Sequence, residues 1–233
     1  MKKRFLAIAC TLFIVAIVFF TSSCKKNSPG SGKLLVAHAS PDAGAIDVLI
    51  DNSKINTSAL SYPGNTGYTS APEGNRSIRI NGTGTANSLI SATFGIESNE
   101  NYSLFVYDRA ASIKLLYTVD VLNNPAPDKA YVRFFHFSPN APTVTMGTLN
   151  GTTFTPLFEN RSFETQNTAL TNSNFTAITP GTYNFDVRVA GAGVSLFTVN
   201  NVNLQGGKIY TVFAKGLAGN ATTPLGAEIM ANN

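Results

Sequence analysis

The stretch Val36–Asp47, VAHASPDAGAID, is written a second time as Phe134–Thr145, FFHFSPNAPTVT. His38, Ser40, Pro41, Asp42 and Ala43 of the first copy return as His136, Ser138, Pro139, Asn140 and Ala141 of the second. This duplication divides the 233-residue chain into a leader, a module, a spacer and the module again. Outward from the first copy, Ile46, Val48 and Ile50 alternate with Asp47, Leu49 and Asp51, the period-2 pattern of a half-buried strand. Ser77–Asn81 alternates in the same way through Ile78 and Ile80, and Tyr183–Val189 through Phe185, Val187 and Val189. Asp51-Asn52 and Asn150-Gly151 supply hairpin turns, whereas Ser61–Asn75, SYPGNTGYTSAPEGN, reads as a glycine-rich loop.

Roughly eight short strands in the first module is sandwich spacing. The expected fold is all-β: two tandem Ig-like or transthyretin-like antiparallel β-sandwich domains behind an N-terminal lipoprotein signal peptide. The expected divisions are 1–23 signal peptide, 24–32 lipidated tether, 33–123 first repeat and 129–233 second repeat. Pro125 and Pro127 stiffen the spacer between the repeats, and each copy is long enough for a core of its own. Two independently folding modules are therefore expected. The two histidines are 98 positions apart and the equivalent Tyr102 and Tyr210 are 108 apart. The second copy thus carries about ten extra residues, between Asn150 and Phe175, as expected for a surface loop.

Composition excludes some classes. Three of the 17 basic residues, Lys2, Lys3 and Arg4, lie in the leader, and without them 14 bases face 13 acids. The remaining bases are scattered singly, so no nucleic-acid footprint survives. Lys2–Arg4, the apolar run Phe5–Phe20 and Thr21-Ser22-Ser23-Cys24 have the layout of a secretory signal ending in a cysteine. That end resembles the lipobox of bacterial lipoproteins, which makes Cys24 the expected lipidation site and the membrane an expected partner. The apolar run is shorter than the roughly 20 residues of a spanning helix. Of the two cysteines, Cys10 lies inside the leader, so no disulfide is expected. The expected location is the cell envelope, lipid-anchored to a bacterial outer membrane and facing either side of it.

The paired HASPDAGAID and HFSPNAPTVT motifs, with the strand starts at Pro72-Glu73-Gly74 and Pro180-Gly181, resemble the domain-of-unknown-function family 4397. Its members are common in secreted and lipid-anchored bacterial proteins, often in tandem. The resemblance implies an all-β sandwich-like domain and carries no chemistry with it.

The chemistry must come from the residues themselves. His38 and His136 are the chain's two histidines. With Asp42 and Asp47 they could ligate a metal, but the second copy has Thr145 where the first has Asp47. Strand parity instead places each histidine with the core, and the expected role of His38, Asp42, His136 and Asn140 is structural, closing the Ser-Pro-Asp/Asn turn. Asp42, Asp47 and Asp51 do not have the spacing of a calcium loop. No metal, cofactor or catalytic residue is expected. The favoured reading is a non-catalytic binding or adhesion module with a glycan or protein ligand. Tyr62, Tyr68, Phe163 and Phe175 are its candidate contacts, and they would serve equally well as core plugs. The alternatives are a pilus- or matrix-like structural subunit and an enzyme acting on envelope glycan or peptide in the groove between modules.

Overall fold

The computed structural model describes residues 30–122 and 125–233. The leader, the lipidation expected at Cys24 and most of the tether lie outside these residues. The first module contains β1 (Ser31–His38), β2 (Ile46–Ile50), β3 (Ser53–Lys54), β4 (Gly64–Pro72), β5 (Gly74–Gly82), β6 (Ser88–Ile96), β7 (Asn101–Tyr107) and β8 (Lys114–Val119). The second contains β9 (Ala130–His136), β10 (Val144–Asn150), β11 (Thr153–Arg161), helix α1 (Gln166–Asn172), β12 (Thr176–Ile178), β13 (Gly181–Val189), β14 (Ser195–Leu204), β15 (Ile209–Lys215) and β16 (Gly226–Ala231).

Each module is a pair of four-stranded sheets. In the first they run β4-β1-β7-β8 and β3-β2-β5-β6; in the second, β12-β9-β15-β16 and β11-β10-β13-β14. Strand for strand the two topologies are the same, so the sequence repeat is a repeat of architecture. The pairing is mostly antiparallel. The exceptions are β1 with β7 and β9 with β15, which run parallel, the chain between them passing through the other sheet and, by way of β4 or β12, the far side of β1 or β9.

Burial explains which sheet is which. In the β3-β2-β5-β6 sheet, Ile46, Val48, Ile50, Ile78 and Ile80 point into a core with Leu34, Val36, Leu104 and Val106 of the β4-β1-β7-β8 sheet. The second module has the corresponding core around Phe134, Met146, Phe185, Val187 and Val212. The opposite faces of β1, β7, β9 and β15 are buried as well. Leu35, Ala37, Phe105, Tyr107 and Leu116 pack against Phe135, Phe137, Phe213 and Met230 in a third core shared by the modules. The molecule is therefore four sheets deep, with two outer sheets wet on one side and the central strands β1, β7, β9 and β15 of the two inner sheets dry on both. Strands buried on both faces carry continuous apolar runs, and Leu34–Ala37, Leu104–Tyr107 and Phe134–Phe137 do so.

The inner sheets of the two modules are joined face to face through that third core. Two local expectations change. Ser61–Asn75 is largely the nine-residue strand β4, with its Gly and Asn accommodated at a bulge. Thr66 and Gly67 both stand opposite Val36, Gly67 takes a φ of 67°, and the Thr66 hydroxyl accepts the Val36 N–H at 3.0 Å. The surplus of the second module holds helix α1, which docks against β8 of the first. Thr165 caps it, accepting the Thr168 N–H while the Thr168 hydroxyl accepts the Thr165 N–H.

Candidate functional site

The repeated motif makes the same construction twice. His38 is fully buried at the end of β1; its Nε2–H donates to the Gly44 carbonyl at 2.7 Å, and its Nδ1 accepts the Ser40 N–H at 3.3 Å. His136 donates to Pro142 O at 3.1 Å and accepts from Ser138 N at 3.3 Å. Both rings are thus fixed as the neutral Nε2–H tautomer, and burial holds both below the ordinary histidine range. Asp42 reaches across to the loop after β7, accepting the Ala110 N–H at 2.7 Å. Asn140 does the same after β15, donating to Ala218 O and accepting Ala218 N–H. The amide satisfies both backbone groups of that residue, where the carboxylate takes only a donor.

The other aspartates of the first module are occupied separately. Asp47 accepts from Lys54 Nζ at 2.6 Å and from Gly84 N at 3.0 Å, which lowers its pKa. Asp51 accepts from Ser77 N and Arg76 Nη1. Among the described residues no group of three or more His, Cys, Asp and Glu side chains stands close enough to hold a metal ion.

The four candidate aromatics come together in an unexpected way. All are half-buried and all lie along the junction between modules. Tyr62 stands edge-on to His38 with Lys215 of the second module over its ring. Phe163 stands edge-on to His136 and packs on Tyr107 and Lys114 of the first. Tyr68 hydrogen-bonds Asp120 and Asn232, while Phe175 stacks under the Arg133 guanidinium at 4.5 Å. Each of the four spends part of its surface on contacts inside the chain.

Residues that the sequence does not single out build the polar heart of this junction. Arg133, with no exposed surface, donates from Nη1 to Asp120 at 2.7 Å, from Nη2 to Ser103 at 3.2 Å and from Nε to Thr211 at 2.8 Å. Thr211 donates to Asn232 Oδ1, Asn232 donates to the Tyr68 hydroxyl, and Tyr68 donates to Asp120 Oδ2. The ring closes on itself and crosses the module boundary twice. Burial and the Asp120 carboxylate raise the Tyr68 phenol well above its usual range. A single charge inside the apolar run Ala130–Phe137 is a visible signal for Arg133; its partner Asp120 is recognisable only in three dimensions.

An open site lies where this junction reaches the surface. Ile90, Ala92 and Phe94 of edge strand β6, Leu115 of edge strand β8, Tyr107, Lys114, Thr165 and Gln166 line an apolar cleft of about 450 Å³. Phe94 stacks on Tyr117, whose hydroxyl donates to Gly95 O and braces the cleft wall. Gln166 closes one end. Its carboxamide accepts the Tyr117 N–H at 3.0 Å and donates to the Tyr117 carbonyl at 2.9 Å, the pair of bonds that a neighbouring strand would make. Beyond it, Val119 and Leu170 stand 51% and 71% exposed.

These features define a duplicated β-sandwich protein whose modules share a core and leave an apolar cleft between two sheet edges. Residues 32–147 match the family described as "Domain of unknown function (DUF4397)", and the chain belongs to that family. The match runs from β1 into β10, across the junction. No curated protein matches the chain. Among solved structures it is similar to a family-26 carbohydrate-binding module of Eubacterium rectale Amy13K, at 11% identity and a TM-score of 0.25, covering 85% of this chain and 96% of that one. It is also similar to a candidate cell-adhesion protein of Bacteroides fragilis, at 10% identity and a TM-score of 0.24, covering 85% and 97%. TM-scores this low do not establish a shared fold.

Proposed function

We propose that this protein is a non-catalytic binding or adhesion module of the bacterial cell envelope, tethered by lipid at Cys24, that takes an extended peptide segment of a protein partner in the β6–β8 cleft. The observation that carries the reading is the cleft itself. It is apolar, open and flanked by the free edges of two sheets, and a carboxamide already occupies one peptide-like position on β8. Strand addition gains affinity from main-chain bonds and specificity from pockets for alternate side chains. The aliphatic lining of Ile90, Ala92 and Leu115 suits peptide side chains better than sugar hydroxyls. The turn-closing hydrogen bonds of both histidines support the non-catalytic part of the reading.

The test is binding of the full chain to matched arrays of envelope-derived peptides and glycans, with Ala92→Arg as the comparison. Retention on apolar peptides that falls at least tenfold in A92R, with unchanged circular dichroism, is the expected result. Binding confined to glycans, or indifferent to A92R, rejects the cleft.

A further inference from the structure

The interface between the inner sheets has the reciprocity of a two-fold contact, in which residue i meets j and j meets i. Phe105 opposes Ala37 on β7, and Phe213 opposes Phe135 on β15, so the two phenylalanines are equivalent. They touch each other, with ring centroids 6.2 Å apart, as residues on a two-fold axis do. Tyr62 and Phe163, each against its own module's histidine, lie on Lys215 and Tyr107 of the other module. Lys215 and Tyr107 are themselves equivalent, being the last residues of β15 and β7. Ser103 and Thr211, also equivalent, donate to the residues that follow β8 and β16, Asp120 and Asn232.

The symmetry breaks at its polar centre. Leu35 stands opposite Ser103 in the first module, where Arg133 stands opposite Thr211 in the second. Asn232 takes the place of Asp120. One fully buried ion pair therefore crosses an axis at which a symmetric interface would hold two or none.

We propose that this face is a homotypic pairing surface, fitted to another copy of the same module, and that Arg133 with Asp120 directs the first module to the second. A first-with-first pair would bury two Asp120 carboxylates against leucine. A second-with-second pair would bury two Arg133 guanidiniums against Asn232. An uncompensated buried charge is strongly unfavourable, and a single buried polar pair is a good selector of partner.

The experiment introduces a protease site between residues 122 and 126 of the full chain, cuts it, and weighs the products by native mass spectrometry after fragment exchange. The wild type should give first-with-second complexes alone. The double variant R133L/D120N, with no charge on either side, should move to about half homotypic pairs, the random-pairing share for partners that no longer discriminate. The double variant L35R/N232D gives each module both halves of the pair and should shift the same way, so the test survives if the first variant does not fold. Homotypic pairs in the cut wild type, separation into lone modules, or exclusive first-with-second pairing in either folded variant overturns the proposal.

Discussion

At the residue scale the histidines are the plainest case. Each ring accepts a backbone N–H at Nδ1 and donates from Nε2, so removing it strands the buried Ser40 or Ser138 N–H and releases the Gly44 or Pro142 carbonyl nearer the surface. His38→Ala and His136→Ala should each cost about 1–3 kcal/mol in denaturant unfolding, with or without a chelator. Protonation would place a second N–H against the Ser40 or Ser138 donor. Because burial lowers both pKa values in the folded state, the unfolded chain binds the proton first. Their contribution is complete above the ordinary histidine pKa of about 6.5 and declines as pH falls below it. Buried Glu164, whose pKa is raised, acts in the opposite sense over the carboxylate range. The difference between wild type and each histidine variant across pH 5–7 isolates the histidine part, and a pH-independent difference would contradict it. Arg133 makes a second residue-scale prediction. R133L alone leaves Asp120 buried without its partner and should cost about 3–5 kcal/mol. R133L/D120N should recover most of that loss, and a double variant as unstable as the single would mean that Asp120 is not the charge at issue.

At the element scale, legibility follows wetting. The outer strands β2 and β5 alternate because water bathes one of their faces, and that alternation is plain in Ile46-Asp47-Val48 and Ile78-Arg79-Ile80. The inner strands bury both faces, so parity says nothing there, and the informative signal is the unbroken apolar run itself. Strand β4 is hidden for a different reason: its Gly, Asn and Pro are the residues of loops, and only pairing with β1 across a bulge makes it a strand. Likewise, the histidine turn is legible because its partners lie within six residues, whereas the cleft joins strands with helix α1, some 50 to 75 positions away in sequence. Gln166 is the element-scale test. Removing its two bonds with Q166A should expose the Tyr117 amide and speed its hydrogen exchange several-fold, corresponding to about 1 kcal/mol. Unchanged protection would mean that α1 does not guard the β8 edge.

At the scale of the whole molecule, duplication has produced a fused pair. Burial of a phenylalanine stabilises by roughly 1.5–3 kcal/mol, and four of them, Phe105, Phe135, Phe137 and Phe213, are buried completely or nearly so in the shared core. Neither module can keep that surface dry alone. The lipid anchor belongs to this scale too: growth with a labelled fatty acid should mark the wild type, and Cys24→Ser should lose the label and retain its leader. The most direct measurement of that fusion is calorimetric unfolding of the full chain. One transition, with calorimetric and van't Hoff enthalpies equal, is the outcome of two modules sharing a third core. Two separate transitions, each with the enthalpy of one module, would show that the inner sheets contribute nothing to each other's stability and would contradict the account.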